Sequence, residues 1–361
     1  LHRIYSRFSN YGVKHMRVIP LFGNMLKVIF RRVHYTADME RSYHSFPNER
    51  FIGRYEFLAP TIIIRDLELV KMITIKDFEY FQNHKTIINE NIEPLAGRNL
   101  FLLQGQEWKD MRSTLSPAFT SSKIKLMVPF MEEAGEQMIR ALKEQFAASD
   151  TGYIDIDCKD LTSRYGGDVI ASCAFGLKVD SHADPNNQFF EMGKEASLSS
   201  NLYSIQKMTY LDMVASEVLR LWPPAIALDR VCTNDYNLGK PNGQVTKDYI
   251  VRKGEVIWIP VRCFHLDPKY FANPTIFDPE RFSDANKHNI NPLTYIPFGL
   301  GPRNCIGSRF ALCEFKMLLY KILLHIEVSP SKKTRIPAKI SADCFNPRLE
   351  GGHWLTFKLR S

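Results

Sequence analysis

The stretch PFGLGPRNCIG, Pro297–Gly307, surrounds one cysteine with glycines and sets an arginine two residues before it. Its glycines are Gly299, Gly301 and Gly307, and the cysteine is Cys305. Because glycine has no Cβ, such a loop lets the backbone approach a flat ligand closely. The following residues, GSRFALCEFKMLLYKILLHIEV, have the composition of a long helix, and a helix N-terminus favours a thiolate anion. The stretch therefore indicates a loop that presents a reactive cysteine, against the alternative of a glycine-rich turn around a buried thiol.

Length and composition limit the class of protein. The 361 residues are 45% hydrophobic and 24% charged, which is ordinary for a globular chain with one large core or two domains. Seven scattered cysteines without a CxxC pair argue against a disulfide framework or a structural zinc site. The net charge of +8 is too mild to predict nucleic-acid binding, but it suits an acidic protein partner or a membrane surface.

The first residues are strongly basic. Leu1–Ala37 contains seven arginines and lysines and no acidic residue, and the chain begins with leucine, consistent with a start inside a longer product. No run of about 18 apolar residues is present, so nothing here predicts a bilayer span. A basic stretch is typical of the cytoplasmic flank of a membrane anchor, but it is equally typical of a solvated tail.

The hydrophobic patterns predict a mainly α-helical chain with a smaller β region. Strands are predicted at Phe51–Leu58 and Thr61–Ile64, and helices from there to about residue 220. One helix has an apolar face and should end at Pro223; the face consists of Ile205, Met208, Leu211, Val214, Val218 and Leu221. DYIVRKGEVIWIPV predicts a hairpin around Lys253–Gly254.

The spacing around Cys305 fits the needs of a haem iron, which requires one strong axial donor on a loop that lies against the macrocycle. Arg303 could pair with a haem propionate through a charge-assisted hydrogen bond. The pattern Phe298-x-x-Gly301-x-Arg303-x-Cys305-x-Gly307 resembles the haem-binding loop of the cytochrome P450 superfamily, whose iron is held by a cysteine thiolate. By this resemblance Cys305 is the metal ligand, and Cys313, about two turns into the helix, is a core residue.

Other motifs support the resemblance over essentially the whole chain. SEVLR supplies Glu217 and Arg220, and FDPERF supplies Arg281; these resemble a buried charge network of the family, although a lone Glu-x-x-Arg is usually a weak surface pair. EWKDMR places Trp108 and Arg112 one helical turn apart, as in the family motif that holds propionates. The implied cofactor-binding residues are Trp108, Arg112, Arg230, Phe298, Gly301, Arg303 and Gly307. The motif VIPLFGN, Val18–Asn24, resembles the hinge after a membrane anchor.

One expected region is missing. The family's central helix carries a Gly-rich acid–Thr motif over the haem, and none is found; Gly167–Asp168 is followed by Val169 and Ile170 without the threonine. Trp108 and Glu217 are 109 residues apart, which is short by about a hundred residues for the family. We expect residues 1–35 to be a basic post-anchor segment and hinge, and 36–361 a single haem-binding domain with an internal deletion near 191–203.

The resemblance implies a haem-thiolate monooxygenase, closest in style to insect microsomal enzymes of xenobiotic metabolism. It implies haem b, NADPH supplied through a flavoprotein reductase, an apolar small-molecule substrate, and a place on the cytoplasmic face of the endoplasmic reticulum membrane. A basic proximal face could dock the reductase, against the alternative of solvated charges; it comprises Lys109, Arg112, Lys123, Lys125 and Arg309. No catalytic residue can be assigned. Because of the gap, two alternatives stay open: a haem-thiolate protein without oxygen activation, and a truncated product that folds poorly.

Overall fold

The computed structural model describes residues 1–86, 97–184, 209–343 and 348–360. The chain divides into two compact units. Unit 1 comprises Leu1–Thr114, Ser216–Cys305 and Ala342–Phe345, and unit 2 comprises Leu115–Ala215, Ile306–Ser341 and Asn346–Ser361.

The described ranges contain more helix than strand, which confirms the predicted fold class. The helices are α1 His2–Tyr5, α2 Arg7–Asn10, α3 Leu26–Ile29, α4 Tyr35–His44, α5 Leu67–Lys71, α6 Gly105–Leu115, α7 Ser121–Ala147, α8 Cys158–Phe175, α9 Thr209–Leu221, α10 Val261–His265 and α11 Ser308–His325. The strands are β1 Phe51–Glu56, β2 Ala59–Ile64, β3 Tyr153–Asp157, β4 Leu228–Val231, β5 Tyr236–Gly239, β6 Tyr249–Val251, β7 Val256–Ile259, β8 Ile326–Pro330 and β9 Trp354–Leu359.

Unit 1 is built on a four-stranded sheet of order β1-β2-β7-β4. β1 and β2, which were both predicted as strands, form an antiparallel hairpin through Phe57, whose φ is +57°. β2 then pairs in parallel with β7, and β7 pairs antiparallel with β4. The β-branched run Ile62–Ile64 is buried throughout, because this strand lies inside the sheet and its residues enter the core.

The predicted hairpin around Lys253–Gly254 is wrong. β6 pairs with β5 in a separate two-stranded sheet, whereas β7 enters the four-stranded sheet. Both edges of β7 are occupied by β2 and β4, so no backbone groups remain for β6. The turn itself exists, but it is fixed to Cys232: Gly254 N–H donates to the Cys232 carbonyl at 2.7 Å, and Cys232 N–H donates to the Glu255 carbonyl at 2.9 Å.

The basic N-terminal stretch is folded into unit 1 rather than solvated throughout. Phe8 is fully buried and packs on Tyr55 and Tyr249, with ring centroids 4.8 Å and 5.8 Å away, and Val13 is 2% exposed. Gly53 leaves room for the Phe8 ring, since a Cβ there would lie 2.4 Å from it. Within the described residues, no helix is both long and apolar enough to cross a bilayer.

Unit 2 joins helices α7, α8 and α11 to a three-stranded sheet of order β3-β9-β8. Its core combines Met131 and Met138 of α7, Tyr165 of α8, Met317 of α11 and Phe357 of β9. The predicted helices in this unit are confirmed. The continuous helical region expected up to residue 220 is interrupted by β3, which pairs with β9 from the far end of the chain.

Helix α9 carries part of the predicted apolar face. It begins at Thr209 and ends at Leu221, just before the proline pair, as expected. Ile205 and Met208 of that face lie outside the described residues, as does the predicted deletion at 191–203.

Candidate haem-binding site

The Cys305 loop requires glycine at two of its three glycine positions. Gly299 and Gly301 have φ of +81° and +73°. A Cβ on Gly301 would lie 1.8 Å from the Thr74 carbonyl oxygen, so no other residue fits there. Gly307 differs, since its φ is −92° and an added Cβ would meet only Phe119 at 3.7 Å. The expected need for a missing Cβ therefore applies to the first two glycines and not to Gly307.

The loop holds Cys305 at the surface. The Cys305 N–H donates to the Phe298 carbonyl at 2.8 Å, so the half-buried Phe298 contributes its backbone to the turn. The cysteine is exposed, and helix α11 begins three residues further along the chain. Cys313 is fully buried, as expected, and burial raises its pKa. Burial also raises the pKa of Cys158 to about 11 and that of Cys263 to about 12.

Helix α6 brings Trp108 and Arg112 to one side of unit 1. Arg112 donates to the Asn304 carbonyl at 2.7 Å and to its Oδ1 at 2.9 Å, one residue from the cysteine. Burial lowers the pKa of Arg112, and the negative charge of a Cys305 thiolate opposes that shift. Trp108 is 4% exposed and packs on Phe78 with ring centroids 5.7 Å apart. The predicted i, i+4 pair thus lies beside the cysteine loop.

Arg303 is buried over the Trp108 ring, with its guanidinium carbon 4.0 Å from the ring centroid. Most of its donors are used within the protein. They reach the backbone carbonyls of Gln82 at 2.7 Å, Leu103 at 2.6 Å, Leu100 at 3.3 Å and Phe101 at 3.4 Å. Arg303 therefore holds the backbone of the segments that precede α6. The motif predicted only a propionate contact for this residue.

Arg230 on β4 is buried with few partners. It is 1% exposed, donates from Nη1 to the Asp229 carbonyl at 2.7 Å, and its buried Nε has no partner among the described residues. Burial lowers the pKa of Arg230 to about 10. Burial, followed by the charge of Arg230, lowers the pKa of Arg303 to about 9. The two guanidinium groups therefore lie close enough for the charge of one to lower the pKa of the other.

Among the described residues, the acidic side chain that acts on Arg230 and Arg303 is already engaged. Asp229 accepts from His84 Nδ1 at 3.0 Å and from the Lys85 N–H. We name the three residues Arg112, Arg230 and Arg303 the arginine cluster. The positive charge of this cluster, and the Nε of Arg230 that has no partner among the described residues, fit a ligand with two carboxylates, as the two propionates of haem supply. Together with the exposed Cys305 on its glycine loop, the three arginines fit a haem group.

The predicted charge network is also brought together. Glu217 and Arg220 are both fully buried and form a bidentate pair with two 2.7 Å hydrogen bonds. Arg220 also donates to the carbonyls of His265 at 2.7 Å and Pro274 at 2.8 Å. Arg281 Nε lies 3.5 Å from Glu217 Oε1, and its Nη2 donates to the Asn273 carbonyl at 3.1 Å.

One contact of the site was not predicted from the sequence, and one segment that had been set aside has a structural role. The His84–Asp229 pair joins residues 145 positions apart, and no local motif marks it. The Gly167–Asp168 segment, set aside for lack of a threonine, proves to be structural: buried Asp168 accepts from Ser181 Oγ at 2.5 Å and from Ser181 N–H at 2.9 Å.

Comparison with known proteins agrees with the fold and the site. The sequence profile described as cytochrome P450 matches residues 14–203 and 199–347. Cytochrome P450 9e2 of Blattella germanica is 32% identical, with 98% of this chain and 94% of that protein aligned. The probable cytochrome P450 9f2 of Drosophila melanogaster is 30% identical over 98% and 95%. Cytochrome P450 6j1 of Blattella germanica is 29% identical over 98% and 94%.

The chain belongs to the cytochrome P450 family. Members of this family are monooxygenases that hold haem through a cysteine thiolate and receive electrons from NADPH through a reductase. This chain is shorter than its relatives. The alignment with the cockroach 9e2 protein has 505 positions against 361 residues here, so at least 144 positions, 505 less 361, have no residue of this chain. The predicted truncation in length is thus confirmed.

Proposed function

We propose that this chain is a haem-thiolate protein in which Cys305 is the axial ligand of the iron. The observation that carries the proposal is the exposed cysteine in the same loop as Arg303, whose pKa is lowered by burial and by the charge of Arg230, while the buried Nε of Arg230 has no partner among the described residues. Arg112, Arg230 and Trp108 would hold the propionates, and Arg303 would contribute its charge while fixing the surrounding backbone. Gly301 allows the loop to pass against Thr74, and Phe298 sets the turn.

A bound haem would supply activation of O2 and insertion of one oxygen atom into an apolar substrate. The chain's own residues do the rest. The buried guanidinium groups orient the carboxylates, and Arg112 keeps a positive charge next to the thiolate. Glu217 and Arg220 hold the segment after α9 in place. These contributions are positional and electrostatic, which is sufficient for binding but not for directed delivery of protons.

We also propose that the missing positions lie near 191–203. The profile matches support this location, because the first ends at residue 203 and the second begins at 199. The short interval of 109 residues between Trp108 and Glu217 supports it as well. The sequence contains no Gly-rich acid–Thr motif, so the distal side would lack a directed proton supply and protection from water. We therefore expect little or no monooxygenase activity from this chain.

The test uses the purified full chain reconstituted with haem. Reduced protein treated with carbon monoxide should show a thiolate-haem Soret band, and Cys305→Ser should remove it while Cys313→Ser preserves it. Loss of the band only in the Cys313 variant would overturn the assignment. NADPH-dependent turnover with a flavoprotein reductase should be near background, and robust oxidation of an apolar substrate would refute the expected impairment. Failure to bind haem would instead favour a non-catalytic product.

The cellular setting follows from the family. We propose a place at the endoplasmic reticulum membrane on the cytoplasmic face, with a membrane anchor preceding the basic segment, and a flavoprotein reductase as electron donor. In unit 2, Lys123, Lys125 and Arg309 are exposed, as a docking surface requires. In unit 1, Lys109 pairs with Glu79 at 3.2 Å and Arg112 donates to Asn304, so these two side chains already have partners within the protein. Charge reversal of Lys123 and Lys125 should weaken reductase binding at low salt.

A further inference from the structure

Helix α7 presents two large apolar side chains to solvent in its N-terminal half. Leu126 is 67% exposed and Phe130 is 42% exposed, whereas Met131 and Met138 on the other side of the helix are fully buried in the core of unit 2. Residues four positions apart are neighbours on a helix surface, so Leu126 and Phe130 form a pair. A contiguous exposed apolar surface of this kind indicates an interaction site, which scattered single residues do not.

The exposed apolar surface continues onto the end of α8. Two contacts join the helices there: Cys173 Sγ donates to the Met127 carbonyl at 3.7 Å, and Lys178 Nζ lies 3.6 Å from Glu133 Oε1. Two further apolar side chains lie between these contacts in the sequence, and both are exposed. We name the four exposed side chains Leu126, Phe130, Phe175 and Leu177 the apolar patch.

The patch lies next to the region in which we place the missing positions. Phe175 is the last residue of α8, and the gap proposed above, near 191–203, follows it in the sequence. At least 144 positions of the alignment with the cockroach 9e2 protein have no residue in this chain. The chain therefore has less of its own surface to cover the patch, and a partner can bury it instead.

The charges beside the apolar pair identify that partner. Four residues of α7 follow one another at spacings of three, four and three, which places them on one side of the helix: Lys123, Leu126, Phe130 and Glu133. The order is basic, apolar, apolar, acidic. Reversing the direction of the helix exchanges the lysine with the glutamate and keeps the apolar pair in the centre. The pattern is therefore complementary to a second copy of itself in antiparallel orientation, as a two-fold interface requires.

We propose that the protein forms a two-fold symmetric dimer in which α7 packs antiparallel on α7 of a second copy. Leu126 of each copy lies against Phe130 of the other, and Lys123 of each copy faces Glu133 of the other. This proposal rests on the gap proposed above for the exposure of the patch, and it requires no haem. Because the contact is formed by one helix and the end of another, we expect a reversible dimer with a dissociation constant of about 1–100 µM.

The partner that Glu133 already has within the chain does not prevent this contact. The Lys178 and Glu133 side chains are 84% and 51% exposed, and such surface pairs contribute little. Glu133 can therefore exchange Lys178 for Lys123 of the second copy. Lys123 also belongs to the reductase-docking surface proposed above, so the dimer would withhold this lysine from the reductase.

Sedimentation equilibrium of the purified full apo chain tests the proposal. Between about 1 and about 100 µM, the weight-average mass should rise from 41.7 kDa toward twice that value. Lys123→Glu and Glu133→Lys each place two pairs of like charges across the dimer, and each should raise the dissociation constant about tenfold or more. Lys143→Glu makes the same charge change at an exposed residue of α7 outside the pattern, and it should leave the dissociation constant unchanged.

Mixing the two single variants tests the antiparallel arrangement. One variant has glutamate at both positions and the other has lysine at both, so the mixed dimer regains two opposite-charge contacts and should form about as well as wild type. Phe130→Gln keeps every charge and should also weaken association about tenfold or more.

A chain that stays monomeric over this concentration range, or single variants that associate like wild type, would overturn the dimer. Loss of association in the single variants without recovery on mixing would overturn the proposed antiparallel contact. The haem function is tested separately by the Soret band and its dependence on Cys305, so failure of the dimer and failure of haem binding are distinguishable.

Discussion

Arg220 and Arg230 belong to the same unit and are equally buried, yet the numbers of their hydrogen bonds differ widely. Arg220 makes a bidentate pair with Glu217 and gives its other donors to backbone carbonyls. Arg230 has one bond, to a neighbouring carbonyl, and a buried Nε without a partner among the described residues. The first arginine is satisfied by the protein itself, whereas the second keeps an open donor among the described residues.

The difference separates scaffold from binding site. A buried arginine is costly unless paired, so an open donor on a buried arginine next to a second buried arginine indicates a place that an anionic ligand can complete. Burial alone does not distinguish the two cases. Counting the occupied donors and the carboxylates within reach does, and among the described residues the count assigns Glu217 and Arg220 to stability and Arg230 to recognition.

The largest expected effect tests the scaffold side. Glu217→Ala leaves Arg220 as a buried charge without its carboxylate, and should cost about 3–5 kcal/mol of unfolding free energy. Urea unfolding of the apo chain, with soluble yield as a second readout, measures this loss. Glu280→Ala, which removes an exposed carboxylate from the segment next to Arg281, should be within about 0.5 kcal/mol of wild type. Equal stability of the two variants would mean that the network contributes nothing.

The next effect concerns the loop that presents the cysteine. Gly301→Ala forces a Cβ against the Thr74 carbonyl at positive φ, and should destabilise the apo chain by about 2–4 kcal/mol. Gly307→Ala has ordinary φ and ordinary contact distances, so its unfolding free energy should stay near that of wild type. Thermal unfolding of the two alanine variants compares them directly. A more damaging change at Gly307 would contradict the loop geometry.

A smaller effect comes from the histidine beside Arg220. His265 is fully buried, its Nδ1 bonds to the Arg220 carbonyl at 3.0 Å, and its Nε2 accepts from Ile296 N–H at 3.0 Å. Burial lowers its pKa to about 3. Because the folded-state pKa lies below the unfolded value of about 6.5, its stabilising effect is complete above pH 6.5 and is lost as pH falls toward 3. The loss approaches about 1.4 kcal/mol per pH unit.

Urea unfolding at several pH values between about 6.5 and 4 measures this loss of stability. His265→Gln should remove about one proton from the pH dependence, while His288→Asn, at an exposed site, should leave the slope unchanged. His84 and His182 also have lowered pKa values and will add to the wild-type slope. A slope in the glutamine variant as steep as in wild type would show that His265 is not the buried neutral group described.

Much of this could be predicted from the chain alone where the information is local. The Cys305 loop, the Trp108–Arg112 helix and the Glu217–Arg220 pair each lie within a short stretch whose spacing fixes which side chains share a face. The hairpin at Lys253–Gly254 failed because strand pairing is not local: β7 is taken into the sheet by β2 and β4, which the alternating pattern cannot show.

The same limit explains the site residues that were missed. His84 meets Asp229 only because β4 carries the aspartate alongside the segment around Asn83, where Val231 N–H donates to the Asn83 carbonyl at 2.8 Å. Arg303 was expected at a propionate from its place in the motif, but its carbonyl partners come from residues about 200 positions away. The spacing of a motif predicts which residue types a site contains. The partners that those residues contact depend on the tertiary fold.

The most direct test of the account compares Arg220→Gln with Arg230→Gln in the apo chain. Each variant is measured by urea unfolding and by titration with metal-free protoporphyrin IX. Arg230→Gln should leave stability equal or slightly higher, because it removes a poorly paired buried charge, and should weaken porphyrin binding about tenfold or more. Arg220→Gln should instead unfold the chain. A large loss of stability in Arg230→Gln with unchanged porphyrin affinity would contradict the assignment of the arginine cluster to ligand binding.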